Sequence, residues 1–185
     1  METKWGVSVF GIVTWVLIAA GGLSAADHGS QAAKKEGILL VAFGSSEASA
    51  QVSFENIDRK VKGKYPGIPV KWAYTSRIIR EKLGKEGKHL DSPEVALAKM
   101  MDEKFTHVAV QSLHTIRGEE YDELQKTVEG FSAMGGFEHV ILGDPLMTTQ
   151  EDMARTVDAV LEMIPKERKK DEAVLLMGHG SPHPA

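Results

Sequence analysis

The sequence predicts an α/β fold built on a doubly wound, mainly parallel sheet. Two observations carry that expectation. Apolar runs of strand length alternate regularly with stretches of helical spacing, and each run ends in a turn of small or polar residues before the next helix opens. The first run, Gly37 to Phe43, is continuously apolar, as suits a parallel strand covered on both faces. No internal repeat or low-complexity segment interrupts the alternation.

The amino terminus is of another kind. Lys4 supplies a positive charge, Val7 to Ala20 is apolar, and Ser24-Ala25-Ala26 fits a small-x-small cleavage rule. Residues 1–26 therefore read as a secretory signal peptide, with a retained membrane anchor as the alternative. The apolar core is shorter than the ~20 residues a spanning helix needs. The mature chain is expected to be periplasmic or otherwise exported, with no stable membrane anchor after cleavage. Residues 27–36 are polar, without periodicity, and read as a flexible arm.

Residues 37–170 carry the alternating elements. Gly37 to Phe43 is the first strand, Gly44-Ser45-Ser46 is its exit turn, and Val52, Phe54, Ile57 and Val61 give the following stretch to Tyr65 helical spacing. Tyr65-Pro66-Gly67 is turn chemistry, and Pro69 to Tyr74 is a second strand. Thr75 and Ser76 are N-cap candidates for a helix from Arg77 to Leu83. Asp91-Ser92-Pro93-Glu94 opens another, with proline at the first helical position. His107 to Leu113 is a third strand and His114 lies just past it. A helix from about Glu119 to Ala133 follows, ended by Gly135-Gly136. His139 to Leu142 is a fourth strand, and Thr148 or Thr149 caps a helix running to Ile164, with Met153, Val157 and Leu161 on its apolar face. Val174 to Met177 reads as a fifth strand, closing on Gly178-His179-Gly180.

Composition excludes several classes of function. Cysteine is absent, which removes disulfides, thiolate nucleophiles and Cys-based metal sites. Any metal must be held by His, Asp or Glu, a donor set that suits cobalt, nickel, zinc or ferrous iron. The net charge of −4 and the lack of a basic run beyond Lys166 to Lys170 speak against a nucleic-acid partner. Gly44-Ser45-Ser46 lacks the spacing and the lysine of a P-loop, so no nucleotide is expected.

Open α/β sheets bind ligands at the carboxyl ends of their strands. Right-handed crossovers bring Gly44, Tyr74, His114, Asp144 and His179 to that edge. His179, between two glycines, is placed to hold a metal or a proton. His107 opens its strand at the opposite end and reads as structural. Glu119 and Glu120 follow His114; a role at the site and a role as first-turn acids complementing the helix dipole are both open. Arg77 reads first as solvated or paired surface charge on its helix, with a role at the site as the alternative.

Four stretches, Val41-Ala-Phe-Gly-Ser45, Tyr74-Thr-Ser-Arg-Ile-Ile-Arg80, Gln111-Ser-Leu-His-Thr-Ile-Arg-Gly-Glu-Glu-Tyr121 and Met177-Gly-His-Gly180, resemble the CbiK-type sirohydrochlorin cobaltochelatases in order and spacing. The resemblance implies two similar α/β lobes with a tetrapyrrole in the cleft between them. It implies that His179 is a metal ligand and catalytic residue, and that Glu120 matches an acidic catalytic residue. A further glutamate and a second histidine of the family have no counterpart before Ala185, so residues 171–185 are expected to open an incomplete second lobe.

The implied reaction is ATP-independent insertion of Co2+, with Fe2+ or Ni2+ as alternative substrate metals, into sirohydrochlorin or a precorrin-2-type tetrapyrrole of cobalamin biosynthesis. Ser45, Ser46, Thr75, Ser76, Arg77 and His114 are candidate substrate-binding residues for its carboxylates. An exported metal- or tetrapyrrole-binding protein without turnover is the competing reading, and a metal-dependent hydrolase a third. A homo-oligomer is compatible with each.

Overall fold

The structure, a computed structural model, describes residues 33–178. The signal-peptide reading and the expected role of His179 lie outside the described residues. In order, the elements are β1 (Glu36–Ala42), α1 (Ala48–Lys64), β2 (Val70–Tyr74), α2 (Arg77–Lys85), α3 (Pro93–Asp102), β3 (His107–Ser112), α4 (Glu119–Ala133), β4 (His139–Gly143) and α5 (Gln150–Glu162). The four strands form one sheet in the order β2-β1-β3-β4, with every neighbouring pair parallel.

Side chains alternate across a strand, and the register sorts them into two faces. Leu39 and Val41 of β1 line up with Ala73 of β2, Val110 of β3 and, one strand on, Leu142 of β4. That face packs on Ala96, Leu97 and Met100 of α3 and on Leu124 and Val128 of α4, giving a single core with Phe105 and Phe137 at its ends. Leu39 and Leu97 are fully buried, and each contributes roughly 1.5–3 kcal/mol relative to an exposed side chain. The opposite face carries Leu40 and Trp72 and meets α1, where Phe54 stacks edge-on against Trp72 and Tyr74 at 5.7 and 5.9 Å. Helices thus cover both faces, although α1 buries only Val61.

Local chemistry sets the helix starts. Ser76 accepts from the Ile79 N–H and Ser92 from the Val95 N–H, with Pro93 following. Thr149 and Asp152 form a reciprocal capping box at the start of α5.

Gly37 marks the tightest approach in the core. An added Cβ would stand 2.6 Å from Phe105 Cε1 and 2.7 Å from Met100 Cε. Gly37→Ala is expected to cost about 1–3 kcal/mol through overpacking, measured as a lower urea midpoint at unchanged m-value; an unmoved midpoint would mean that the Phe105 ring yields freely.

Two expectations are corrected. The apolar run Val174 to Met177 is not a fifth strand: it pairs with no edge of the sheet, and Leu175, Leu176 and Met177 are 91, 77 and 99% exposed. An apolar run makes a strand only when a ladder partner supplies its hydrogen bonds, and this sheet ends at β4. The arm also stops short of Glu36, which already belongs to β1. The Lys35 N–H donates to Thr106 Oγ1 at 2.9 Å, and the Lys35 carbonyl accepts from the Thr106 N–H at 2.9 Å.

Candidate functional site at the carboxyl edge of the sheet

The carboxyl ends of all four strands are stitched together by main-chain bonds. Thr75 N–H donates to Ala42 O, Ser76 N–H to Phe43 O, and Leu113 N–H to Val41 O, which ties the exits of β2 and β3 to that of β1. Leu146 N–H donates to His114 O and Met147 N–H to Thr115 O, which adds the exit of β4. Arg80 reaches back from α2 and places Nη1 on the carbonyls of Tyr74 and Thr75, at 2.5 and 2.8 Å. The edge is therefore a fixed scaffold, the kind of support a binding constellation needs.

His114 is at its centre. Nε2 lies 3.1 Å from Thr75 Oγ1, and Nδ1 lies 2.9 Å from Ser112 Oγ. Burial pushes the imidazole pKa below its ordinary value, and the nearby Glu120 carboxylate opposes that shift only in part. A half-buried ring spanned by two hydroxyls is thus held neutral. Because its folded pKa is depressed, His114 contributes stability in full above the ordinary value of 6.5, and this is lost as pH falls from there through the depressed folded value. His114→Gln should flatten the acid side of a melting-temperature profile between pH 7 and pH 5; parallel profiles for the two proteins would contradict this.

The other expected site residues take varied places. Ser45 Oγ accepts from the Glu47 N–H at 3.1 Å, and its carbonyl accepts from Gln51 Nε2, which shapes the turn after β1. Gly44 has φ +101°, the left-handed region open to glycine, and makes that turn possible. Ser46 Oγ accepts from Lys82 Nζ at 3.0 Å. Ser76 is spent on capping α2, and Arg77, at the first position of that helix, is an exposed partner of Glu81 at 3.5 Å. Glu120 is partly buried in the first turn of α4, with Oε2 lying back over Gly118. At the β4 exit, the Tyr121 hydroxyl donates to Asp144 Oδ1 at 3.4 Å, and burial raises its pKa, with Asp144 adding to the rise.

The edge brings Thr75, His114 and the Glu120 charge together, and joins Ser46 to Lys82. His107 is at the other end of β3, against Thr106 Oγ1 and the ring of His139. Among the described residues, no group of three or more His, Cys, Asp or Glu side chains could hold a metal ion.

Three apolar residues and a serine belong to this edge although nothing in their sequence context singled them out. Phe43 follows β1, Ile78 follows β2 and Ile116 follows β3, and they are 47, 73 and 41% exposed. Phe43 closes the apolar run of β1, whereas Ile116 interrupts a polar turn and Ile78 a polar helix start, a signal visible in the sequence once the strand ends are known. Ser112 is fully buried beneath His114. Its only sequence signal is a polar residue on an inward-facing strand position.

Fold and edge define a parallel α/β lobe whose strand exits carry hydroxyls, a half-buried histidine and exposed apolar side chains. The model of the cobalt chelatase family CbiK matches residues 36–185, and the chain belongs to that family. It is 47% identical over 151 residues to the sirohydrochlorin cobaltochelatase CbiKC of Nitratidesulfovibrio vulgaris, covering 82% of this chain and 54% of the relative. It is 31% identical over 153 residues to the sirohydrochlorin cobaltochelatase of Salmonella typhimurium, covering 82% and 57%. The solved structure of a cobalamin biosynthesis CbiX protein from Marinobacter aquaeolei is similar at a TM-score of 0.49 and 18% identity, over 70% of this chain and 94% of that one. The chain spans about half the length of the curated relatives it matches.

Proposed function

We propose that this chain acts in the ATP-independent insertion of Co2+ into sirohydrochlorin, on the way to cobalamin, and that its carboxyl sheet edge is one wall of the tetrapyrrole site. The observation that carries the reading is the 47% identity over 151 residues to a sirohydrochlorin cobaltochelatase. The chemistry of the edge supports it. A tetrapyrrole of this kind is an apolar ring system bordered by carboxylates, and it needs an apolar floor inside a polar rim. Phe43, Ile78 and Ile116 supply the first, and Lys82, Ser46 and Thr75 supply the second.

Metal insertion requires that water be stripped from the ion, that the ion be held over the macrocycle, and that two inner N–H protons be removed. His179 is proposed as the ligand to the incoming Co2+, since a neutral imidazole suits that ion and the chain offers no thiolate. Glu120 is proposed to accept a proton or to orient the ion through a neighbouring ligand. Export by the amino-terminal signal remains part of the proposal, as does Co2+ in preference to Fe2+ or Ni2+.

Anaerobic titration with metal-free sirohydrochlorin, followed by visible absorption, tests the site before any chemistry. Saturable binding is expected. Ile78→Asp, which sets a negative charge on the exposed floor, should weaken it by about tenfold. Equal binding by the variant would remove this edge from the site.

A further inference from the structure

The hydroxyl of Ser112, fully buried at the end of β3, meets His114 twice. Its oxygen accepts from the His114 backbone N–H at 3.2 Å and lies 2.9 Å from Nδ1 of the same residue. A buried hydroxyl proton requires an acceptor, and Nδ1 is the acceptor the structure gives it. Nδ1 is then unprotonated, and the neutral ring carries its one proton on Nε2. Nε2 faces Thr75 Oγ1 at 3.1 Å, so the ring donates and the threonine oxygen accepts.

That leaves the proton of the Thr75 hydroxyl unspent. Nor is the Thr75 oxygen drawn away to cap α2, because Ser76 accepts the Ile79 N–H there. The threonine itself cannot drift, since its N–H is bound to Ala42 O at 2.9 Å and its carbonyl to Arg80 at 2.8 Å. We infer that Ser112 is a positioning residue: by fixing the tautomer of His114, it makes the Thr75 hydroxyl a hydrogen-bond donor to a carboxylate of the substrate. The identity of that carboxylate rests on the tetrapyrrole reading above. The opposite tautomer would draw the Thr75 proton onto Nε2 and turn only lone pairs toward the ligand, which repels a carboxylate. Selectivity for an acidic ring substituent is thus written into a buried serine that never touches it.

Two measurements on the full chain test this. Long-range 1H–15N spectra at pH 8 should show His114 protonated at Nε2 alone, and Ser112→Ala should shift the ring toward the other tautomer or a mixture. In sirohydrochlorin titrations, Thr75→Val should weaken binding by about tenfold, as expected for losing one hydrogen bond to an ionised acceptor, while Thr75→Ser restores most of it. A proton on Nδ1 in the unmodified protein, or a Thr75→Val protein that binds as tightly as the parent, overturns the inference. An unmodified chain that binds no sirohydrochlorin overturns the substrate reading instead, and the inference is then decided by the tautomer.

Discussion

Replacing His179 by alanine is expected to lower the rate of Co2+ insertion by more than about a hundredfold, beyond what removal of a group that merely supports a metal ligand costs. Co2+ is borderline in softness, and in a chain without cysteine its nitrogen donors are imidazoles. Among the histidines of the sheet and its exits, His114 has both ring nitrogens engaged by hydroxyls, and His107 and His139 stand at the amino ends of β3 and β4, away from the carboxyl edge. His179 stands between two glycines in the segment that matches the family. The core runs from Leu39 to Phe137, so the variant should melt with the parent protein. Single-turnover insertion followed by absorption gives the rate; an unchanged rate would take His179 out of the mechanism.

Leu97→Ala should have the largest effect on stability, about 2–5 kcal/mol. Leu97 is fully buried on α3, in the one core that joins this helix to Leu39, Val41 and Ala73 of the sheet and to Leu124 of α4. Truncation removes buried methyl groups and leaves a cavity in a layer whose backbone is held on three sides, so little collapse can offset it. Val52→Ala on α1, where the side chain is 56% exposed, should stay within about 0.5 kcal/mol of the parent. Urea unfolding of both variants measures the contrast, and a loss below about 1 kcal/mol for Leu97→Ala would mean the core is not packed as described.

Much of this architecture is legible in the sequence, and the exceptions share a cause. β1, β2, β3 and β4 are short apolar runs closed by turn chemistry, and Ser92-Pro93 and Thr149 announce their helices by capping. Those signals are local, so the chain itself contains them. The Val174 to Met177 run and the face of α5 carrying Met153, Val157 and Leu161 show equally plain apolar patterns, yet stand exposed. An apolar pattern states what a segment can bury, and a partner surface decides whether it does.

The site divides in the same way. Strand-end residues such as His114 and Thr75 are found by topology, because parallel strands must end at a common edge. What each hydroxyl does there is not local. Thr75 and Ser76 are adjacent and both able to cap; only the structure shows that Ser76 caps α2 while Thr75 meets His114 across 39 residues of chain. The bond from Lys82 to Ser46 spans 36 residues and leaves no trace in either segment.

Anaerobic incubation of the full chain with sirohydrochlorin and Co2+, without ATP, bears most directly on the proposed function. Time-dependent replacement of the free tetrapyrrole spectrum by that of its cobalt complex, faster than the uncatalysed reaction and lost in His179→Ala, is the predicted result. Tight binding of sirohydrochlorin with no acceleration of metal entry would contradict it, and would leave a protein that carries the tetrapyrrole without transforming it.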